Sequence, residues 1–262
     1  MFVGFNLETD QDFSTYYTKG KTLFDKQKKV VEEDLDKFLS SDGTIDGTKL
    51  ADTWFPQIKA DIFISHSHMD EKKVIGLAGW LWEKFHLIAF VDSCVWGYAQ
   101  RLIRKIDNKF CQNEGGETYN YEKRNQSTAH VYMMLNIALC RMIDRTECIF
   151  LFNTPNAIPC SKVVNSTNSS WIYSEVVMTE IVRKRSLSEY RDGENVLLEK
   201  HAMNNAMKFK YDISLKHLKT LNAQDLQRWG AKSKNLLILE EVTLSDKVYP
   251  LDSLYNIKEI LK

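Results

Sequence analysis

The chain has 262 residues, of which 44% are hydrophobic and 27% are charged. This balance is typical of a folded globular protein and excludes a disordered chain, a collagen-like chain and a transmembrane bundle as the overall class. Lys and Arg number 35 and Asp and Glu number 35, so the formal net charge is zero. Because binding to a phosphate backbone usually requires a basic excess, we expect no nucleic-acid partner.

The N-terminal sequence and the cysteines bear on the cellular compartment. The first residues carry neither the basic segment nor the long apolar run of a secretory signal. The longest apolar stretches are much shorter than a membrane span, so we expect no membrane partner. Five cysteines are present without a C-x-x-C pair, which is typical of reduced thiols. Together these features predict a cytoplasmic protein.

Residues 1–58 are predicted to form an N-terminal helical extension. Apolar side chains recur at helical spacing among many Lys and Glu residues over positions 12–39. Two Asp-Gly steps within positions 40–49 indicate a loop. We therefore expect this segment to precede the main fold.

Strand-like and helix-like segments alternate over residues 59–190. Short apolar runs predict strands at 62–64, 86–92 and 148–153, and helical spacing predicts helices at 72–85, 99–107, 127–143 and 171–185. This alternation predicts an α/β fold with a parallel sheet that is covered on both faces. Residues 107–147 are predicted to be an insertion that includes a polar loop at 108–126.

Residues 191–262 are predicted to complete the sheet and to end in a helix. The predicted elements are strands at 209–215 and 236–242 and helices at 223–229 and 251–261. We therefore expect one elaborated domain rather than two domains.

A polar loop follows the first predicted strand and reads H-S-H-M-D from His66 to Asp70. This sequence is similar to the H-x-H-x-D-H metal loop of metallo-β-lactamase-fold hydrolases, although Glu71 stands in place of the last histidine. Imidazole ligands need further partners to complete a metal site, and the remaining histidines form no such cluster. A metal-dependent hydrolase that uses His66, His68 and Asp70 is one hypothesis, and ordinary loop residues after a strand are the simpler interpretation.

Three segments in chain order resemble the TIR (Toll/interleukin-1 receptor) family. The first strand and loop read DIFISHSHMD over 61–70, the second strand ends in F-V-D at 90–92, and a predicted helix start reads W-x-x-x-E from Trp171 to Glu175. The wider sequence is similar to bacterial TIR-like proteins, including those of antiphage defence systems such as Thoeris. The resemblance implies a flavodoxin-like, doubly wound parallel sheet.

The resemblance also implies an enzyme that consumes NAD as a substrate, without a cofactor, by breaking the nicotinamide–ribose bond. Bacterial TIR domains commonly do this to give ADP-ribose or a cyclic or conjugated ADP-ribose signal, which here would serve antiviral defence. A homo-oligomer on activation and a downstream effector protein that senses the product are the implied partners. Because nicotinamide leaves as a neutral molecule, one carboxylate is sufficient and no general acid is needed.

The resemblance assigns the catalytic role to Glu175. Trp171 and Glu175 are four residues apart and share a helix face, and the helix dipole is expected to favour the charged form of Glu175. Trp96 is expected to stack on nicotinamide or adenine. The full set of expected substrate-binding residues is Ser65, His66, Ser67, Asp92, Trp96 and Trp171.

Each of these assignments has a simpler structural alternative. A glutamate near the start of a helix often serves as a cap, and polar residues after strands often serve in turns. Trp96 fits equally well as an aromatic residue that packs on the surface, and Trp171 fits a structural wedge. For the whole protein, the alternative is a non-catalytic TIR module that signals by self-association.

Overall fold

The structure is a computed structural model that describes residues 1–27, 35–159, 166–167, 169–192, 211–212, 214–237 and 249–261. Its strands are β1 (Val3–Glu8), β2 (Ile62–Ser65), β3 (Ala89–Val91), β4 (Cys148–Phe152), β5 (Ser166–Thr167), β6 (Tyr211–Asp212) and β7 (Lys219–Asn222). Five of them form an all-parallel sheet in the order β3-β2-β4-β1-β7, whereas β5 and β6 pair antiparallel with each other. The chain is therefore an α/β protein, as the alternating sequence pattern predicts.

The described helices are α1 (Tyr17–Gln27), α2 (Gly47–Trp54), α3 (Glu71–Phe85), α4 (Ser93–Phe110), α5 (Tyr121–Arg145), α6 (Ser170–Ile181), α7 (Leu187–Asp192), α8 (Ala223–Leu237) and α9 (Pro250–Ile257). Polar residues fix where α2, α5 and α6 begin. The side chains of Asp46, Asn120 and Ser169 each accept a hydrogen bond from the backbone N–H three residues later. Over the ranges that the structure describes, no helix is both long and apolar enough to cross a membrane.

The three strands predicted from apolar runs in the middle of the chain are present as β2, β3 and β4. All three are fully buried, because a strand inside a covered parallel sheet has no face toward solvent. Their order, β3-β2-β4, matches the positions 2-1-3 of a flavodoxin-like sheet. The contacts between helices fall into two sets, α1, α3, α8 and α9 in one and α2, α4, α5 and α6 in the other. This is compatible with helices on both faces of a flavodoxin-like sheet.

The N-terminal segment is part of the sheet, so the prediction of a separate helical extension over 1–58 is wrong at its start. β1 lies between β4 and β7, and five of its six residues are buried. Its sequence carries the strand pattern weakly, because Gly4 and Asn6 interrupt the apolar run. The helix predicted over 12–39 is present in part as α1, and residues 28–34 lie outside the described residues.

The segment between β3 and β4 is mostly helical rather than a polar loop. α4 runs to Phe110 and α5 begins at Tyr121, so the loop predicted over 108–126 is limited to residues 111–120. The first turns of α5 are polar and exposed, which explains why their sequence resembles a loop. The predicted insertion at 107–147 is therefore a helical crossover between two strands of the sheet.

The C-terminal segment completes the sheet through β7, rather than through the strands predicted at 209–215 and 236–242. Within the first range, two described residues form β6, which lies outside the main sheet. The second range begins at the end of α8, and the rest of it lies outside the described residues. The helices predicted at 223–229 and 251–261 are confirmed as α8 and α9.

Helix α1 packs very closely on α3 where two glycines meet. A Cβ atom on Gly20 would lie 1.8 Å from the carbonyl oxygen of Ile75, and one on Gly79 would lie 2.1 Å from that of Tyr16. A larger residue at either position would separate the helices, since a backbone oxygen cannot move aside as a side chain can. This packing fixes α3, which begins directly after the loop that follows β2.

The carboxyl ends of β2 and β4 lie next to each other, with Ser65 opposite Leu151. From β2 the chain moves outward to β3, and from β3 it crosses back past β2 to reach β4. In open parallel sheets, the crevice at such a reversal is where ligands bind. The fold therefore points to the residues that follow β2, β3 and β4.

Candidate functional site

Residues from three separate motifs meet beyond the carboxyl ends of β2 and β3. Ser65 ends β2, Asp92 follows β3, and Glu175 belongs to α6, the helix that comes after β4. The hydroxyl of Ser65 donates a hydrogen bond of 2.5 Å to Oε2 of Glu175, across 110 residues of sequence. His66 joins them through Asp92. We call Ser65, His66, Asp92 and Glu175 the buried carboxyl cluster.

His66 and Asp92 form a buried ion pair within this cluster. Nδ1 of His66 lies 2.6 Å from Oδ1 of Asp92, and their side chains are 1% and 2% exposed. Burial is the largest single influence and lowers the pKa of His66, but the charge of Asp92 and hydrogen bonding to it, with smaller contributions from the backbone of Ile64 and from Glu71, together leave the pKa raised. The pair therefore favours the protonated imidazole.

Glu175 is completely buried, with 0% of its surface exposed. Burial raises the pKa of Glu175 well above its usual value, and the neighbouring carboxyl group of Asp92 raises it further. The hydrogen bond from Ser65 acts in the opposite direction without reversing the result. Because two adjacent carboxyl groups do not ionise independently, the raised pKa of Glu175 belongs to a coupled pair, and burial favours its protonated form in this arrangement.

The position of Glu175 in its helix corrects the expectation that the helix dipole keeps it charged. α6 begins at Ser170 after the Ser169 cap, so Glu175 lies in the second turn. The dipole acts mainly within the first turn, and its effect is smaller than the cost of removing a carboxylate from water. Burial therefore decides the protonation of Glu175 in this structure.

Several polar atoms of this region are buried without a hydrogen-bond partner among the residues that the structure describes. They are Nε2 of His66, Oε1 of Glu175 and Oγ of Ser93, the first residue of α4. Leaving a buried polar atom unpaired costs about 1–3 kcal/mol, so stable folds pair most of them. These atoms lie at the carboxyl ends of β2 and β3 and in α6, where a polar ligand could pair with them.

The space beside Glu175 is narrow. Its walls come from β2, β4, α6 and the residue just before β7, and it is too small to hold a water molecule. The lining residues are Ser65, Ile149, Leu151, Glu175, Val176, Thr179 and Leu218. A ligand can therefore reach Glu175 only after one of these walls has moved.

The other predicted substrate-binding residues, Trp171, Trp96 and Ser67, are not part of the buried carboxyl cluster. The ring of Trp171 is half-buried and lies 5.7 Å from that of Tyr132 in α5, at an angle of 60°. This contact fits the interpretation of Trp171 as a structural wedge between α5 and α6. Trp96 lies near the start of α4, and its side chain is outside the part that the structure describes. Ser67 is half-buried and precedes a short 3-10 turn without capping it.

Asp70 ties the loop after β2 to the loop after β4. Its carboxylate is 1% exposed and accepts hydrogen bonds from Oγ1 of Thr154 at 2.5 Å and Nδ2 of Asn156 at 3.1 Å, with Nζ of Lys73 at 3.3 Å. His68, in contrast, is exposed. Within the described ranges, no group of three or more His, Cys, Asp or Glu side chains is arranged to hold a metal ion. The contacts of Asp70 therefore fit a loop anchor, which agrees with the simpler interpretation of the H-S-H-M-D sequence.

Three residues of this region were not predicted from the sequence: Ser93, Thr154 and Asn156. Ser93 directly follows Asp92, and the other two come shortly after β4. The sequence pattern that identified Ser65 and Asp92, a polar residue just after a predicted strand, is present at these positions as well. The polar residues after the third predicted strand could therefore have been proposed as site residues on the same grounds as those after the first two strands.

Comparison with known proteins found no match, whether to a protein-family model, to a curated protein or to a solved structure. The TIR resemblance therefore depends on the three sequence motifs, and the α/β fold is compatible with it. The chemistry of the buried carboxyl cluster is the basis on which a function can be argued.

Proposed function

We propose that this protein is a TIR-type enzyme that breaks the nicotinamide–ribose bond of NAD. Its products are nicotinamide and either ADP-ribose or a cyclic or conjugated ADP-ribose signal. In this proposal the protein acts in antiviral defence in the cytoplasm and assembles with copies of itself on activation. A downstream effector protein then senses the product.

The observation that carries this proposal is the contact between Ser65 and Glu175. The two residues belong to the first and last of the three TIR-like motifs, 110 positions apart, and their side-chain oxygens are 2.5 Å from each other. Asp92, from the middle motif, lies beside them and interacts with Glu175. Ser65 and Asp92 meet because they follow adjacent parallel strands, so the part that the topology does not require is the contact of Glu175, from α6, with both of them, and this contact supports the proposal.

The proposed reaction needs a carboxylate and few other groups. When the C–N bond to ribose breaks, the pyridinium nitrogen takes the bonding electron pair, so nicotinamide leaves neutral without an acid. The ribose carbon becomes an oxocarbenium-like cation, which an ionised Glu175 stabilises. A water oxygen then bonds to that carbon and releases one proton to solvent. A hydroxyl or ring nitrogen in place of water gives the conjugated or cyclic product.

The neighbours of Glu175 have defined tasks in this scheme. Ser65 holds the carboxyl group in place, and its hydrogen bond favours the charged form. Asp92 accepts hydrogen bonds from the ribose hydroxyl groups, with His66 as its counter-charge. Opening of the site belongs to the scheme too, because a neutral Glu175 cannot stabilise a cation. Contact with water lowers the pKa of Glu175 toward its ordinary value.

Product analysis after incubation with NAD tests this proposal. We expect the protein to release nicotinamide, and Glu175→Gln to reduce the rate by at least about 10²-fold, because an amide cannot balance the positive charge on ribose. Glu83→Gln, which changes an exposed glutamate of α3, is the matched control and should retain the rate. Chromatography of the second product separates hydrolysis from cyclisation and transfer. Equal rates in the two variants would refute the assignment of Glu175.

A second candidate is a module that signals by self-association without catalysis. The observation that favours it is the complete burial of Glu175, since a protein with no chemistry to perform needs no access to this residue. Light scattering gives the assembly state of the protein and of Glu175→Gln. Normal assembly by both, without nicotinamide release from any variant that opens the site, would favour the module over the enzyme.

A further inference from the structure

We propose that Glu8 binds the ribose hydroxyl groups of a nucleotide at the carboxyl ends of β1 and β7. Two asparagines, Asn6 and Asn153, hold its carboxyl group for this task. All three residues lie outside the three TIR-like motifs. The inference rests on the proposed function only in taking the nucleotide to be the adenosine half of NAD, and the site itself is argued from the contacts of Glu8.

The sheet has a second point at which neighbouring connections leave toward opposite faces. β4 and β1 are adjacent, and the next described α-helices after them are α6 and α1. Leu151 of β4 packs in an apolar cluster with Val176 of α6, whereas Phe150 contacts Trp229 of α8, which belongs with α1 to the other set of helices. Because successive residues of a strand point to opposite faces, α6 and α1 lie on opposite faces. A crevice opens between adjacent strands of this kind.

Glu8 ends β1 at this crevice, and two side-chain amides hold its carboxyl group. Oε1 of Glu8 accepts hydrogen bonds from Nδ2 of Asn6 at 2.9 Å and from Nδ2 of Asn153 at 3.0 Å. Asn6 lies two residues earlier in the same strand, and Asn153 directly follows β4. Because one oxygen receives both donors, the carboxyl group is oriented and its other oxygen, Oε2, can accept from a ligand.

The carbonyl oxygen of Asn6 is a second acceptor beside Glu8. Asn6 is 8% exposed, and its Oδ1 is buried without a hydrogen-bond partner among the residues that the structure describes. The amide cannot turn over to pair this oxygen, because Nδ2 is needed by the Glu8 carboxylate, which only accepts. A buried acceptor without a partner costs stability, so a ligand that donates a hydrogen bond here would remove that cost.

An open cleft adjoins Glu8. Its volume is about 430 Å³, which lies within the range of small-molecule sites. The side chains of Glu8 and Asp10 are exposed, so a ligand can reach this cleft from solvent. The lining residues come from the ends of β1 and β7 and the start of α8, and they are Glu8, Thr9, Asp10, Asn222, Ala223 and Gln224.

The chemistry of these groups selects a ligand that donates hydrogen bonds. Oε2 of Glu8 and Oδ1 of Asn6 only accept, and a ribose diol presents two adjacent hydroxyl donors. In dinucleotide-binding folds, an acidic residue hydrogen-bonds a ribose hydroxyl in this way. A hard cation such as Ca²⁺ takes about six to eight oxygen ligands, whereas a diol needs only a few acceptors. The oriented carboxyl group therefore fits a ribose better than a metal ion.

The position of Glu8 suits the second half of a dinucleotide. Ser65, Leu151 and Asn6 lie at the same level on three adjacent strands, β2, β4 and β1. Adjacent strands are about 4.8 Å apart, so Asn6 is roughly 10 Å from Ser65 across the sheet. With the nicotinamide ribose at Glu175, as in the proposed function, the adenosine ribose reaches Glu8 two strands away.

Calorimetry with ADP tests this site without relying on any enzyme activity. ADP carries the adenosine ribose and lacks the nicotinamide ribose, and EDTA in the buffer prevents a metal ion from bridging protein and phosphate. We expect the protein to bind ADP at least about tenfold more tightly than 2′,3′-dideoxy-ADP, which lacks both hydroxyl donors. Glu8→Gln should remove this preference. Its amide oxygen still accepts from Asn6 and Asn153, but a donor replaces the oxygen that faces the ligand.

Asp10→Asn is the matched control, because it neutralises another carboxylate of the same cleft. For a ribose site, this variant should bind ADP at least as tightly as the unchanged protein, since Asp10 repels the phosphates. Equal loss of ADP binding in Asp10→Asn and Glu8→Gln would overturn the proposal, because the negative charge of the cleft rather than Glu8 would then hold the ligand. No binding of ADP, or equal binding of ADP and 2′,3′-dideoxy-ADP, would overturn it as well.

Nicotinamide release separates the ribose site from the proposed function. Glu8→Gln should raise the KM for NAD about tenfold with little change in kcat, since Glu8 is remote from the bond that breaks. ADP binding that requires Glu8 and the ribose hydroxyls, without nicotinamide release, would support the ribose site and contradict the enzyme. Nicotinamide release with the same KM in Glu8→Gln and the unchanged protein would support the enzyme and overturn the ribose site.

Discussion

Two buried carboxyl groups on adjacent helices, Asp144 in α5 and Glu175 in α6, differ in the direction of their pKa shifts. Burial raises the pKa of both groups. For Asp144, the guanidinium groups of Arg185 and Arg183, at 2.6 and 3.1 Å, outweigh burial and hold the pKa below its usual value. Glu175 has the carboxyl group of Asp92 as a neighbour, and its pKa is raised well above the usual value.

The difference shows that partners, rather than burial, separate a structural carboxylate from a candidate catalytic one. Asp144 is paired as a buried charge must be if it is to support the fold. The neighbours of Glu175 are a neutral hydroxyl group and a second carboxyl group, so its burial lowers the stability of the fold. A fold keeps such an arrangement where the shifted proton affinity serves chemistry.

The largest effect is expected from removing the structural carboxylate. Asp144→Ala leaves Arg185, whose side chain is 7% exposed, without its closest carboxylate. Among the described residues, only the partly exposed Glu189, 3.7 Å from the guanidinium, then remains as a partner, and breaking a buried ion pair costs about 3–5 kcal/mol. Urea denaturation should therefore show a free energy of unfolding lower by that amount.

Glu175→Gln tests the second carboxyl group in the same way, by its effect on the free energy of unfolding. Glutamine has the shape of a protonated glutamate and can still accept the hydrogen bond from Ser65. We expect the free energy of unfolding near pH 5 to change by less than about 1 kcal/mol. A loss of stability as large as that of Asp144→Ala would mean that Glu175 is a charged structural residue. The proposed difference between Asp144 and Glu175 would then be wrong.

The dependence of stability on pH should have opposite signs for the two carboxyl groups. An unfolded glutamate loses its proton at about pH 4.3, while the folded Glu175 keeps it to higher pH. Stability therefore falls as pH rises above this value, by at most about 1.4 kcal/mol per pH unit until the folded pKa is reached. Glu175→Gln removes this loss, so its stability relative to the unchanged protein should rise from pH 4 toward pH 7.

Asp144→Asn should give the reverse trend. The folded pKa of Asp144 is lowered, so its stabilising contribution is present above the unfolded pKa of about 3.9 and is lost as pH falls through the folded value. Denaturation curves from pH 3 to pH 7 measure both differences. Equal slopes for the two variants would show that the partners do not set the direction of the shifts.

The parts of the fold that sequence predicts are those whose pattern follows from local burial. β2, β3 and β4 are covered on both faces and therefore appear as continuous apolar runs. β1 was missed because Gly4 and Asn6 interrupt its run, although the strand is buried. β7 was missed for a different reason, since an edge strand buries little and only Leu221 of its four residues is buried.

For the site, the sequence predicts which residues lie close together, but it does not predict their burial or their pKa shifts. Ser65, His66, Asp92 and Glu175 were all identified from strand ends and the family motif, because topology brings strand ends to one edge. The raised pKa of Glu175 was not predictable, since it depends on burial by residues from distant segments.

The next largest effect comes from a hydroxyl group in the buried carboxyl cluster. Ser65→Ala removes the hydrogen bond to Glu175 and leaves Oε2 buried without that donor. The expected loss is about 1–3 kcal/mol in the free energy of unfolding. Ser93→Ala, at a hydroxyl that makes no hydrogen bond among the described residues, should be neutral or slightly stabilising. Equal losses of stability for the two serine variants would show that the hydrogen bond from Ser65 to Glu175 is not what stabilises the buried carboxyl cluster.

The smallest effect tests a third buried carboxylate, Asp70, which combines neutral donors with an exposed cation. Lys73 lies 3.3 Å from Asp70, but its side chain is 66% exposed, so water screens the pair. Lys73→Met should therefore cost less than about 1 kcal/mol in urea denaturation. Thr154→Val removes a hydrogen bond of 2.5 Å to the same carboxylate and should cost more, about 1–3 kcal/mol. If the lysine variant lost more stability than the threonine variant, charge rather than hydrogen bonding would hold the two loops together, and Asp70 would belong with Asp144.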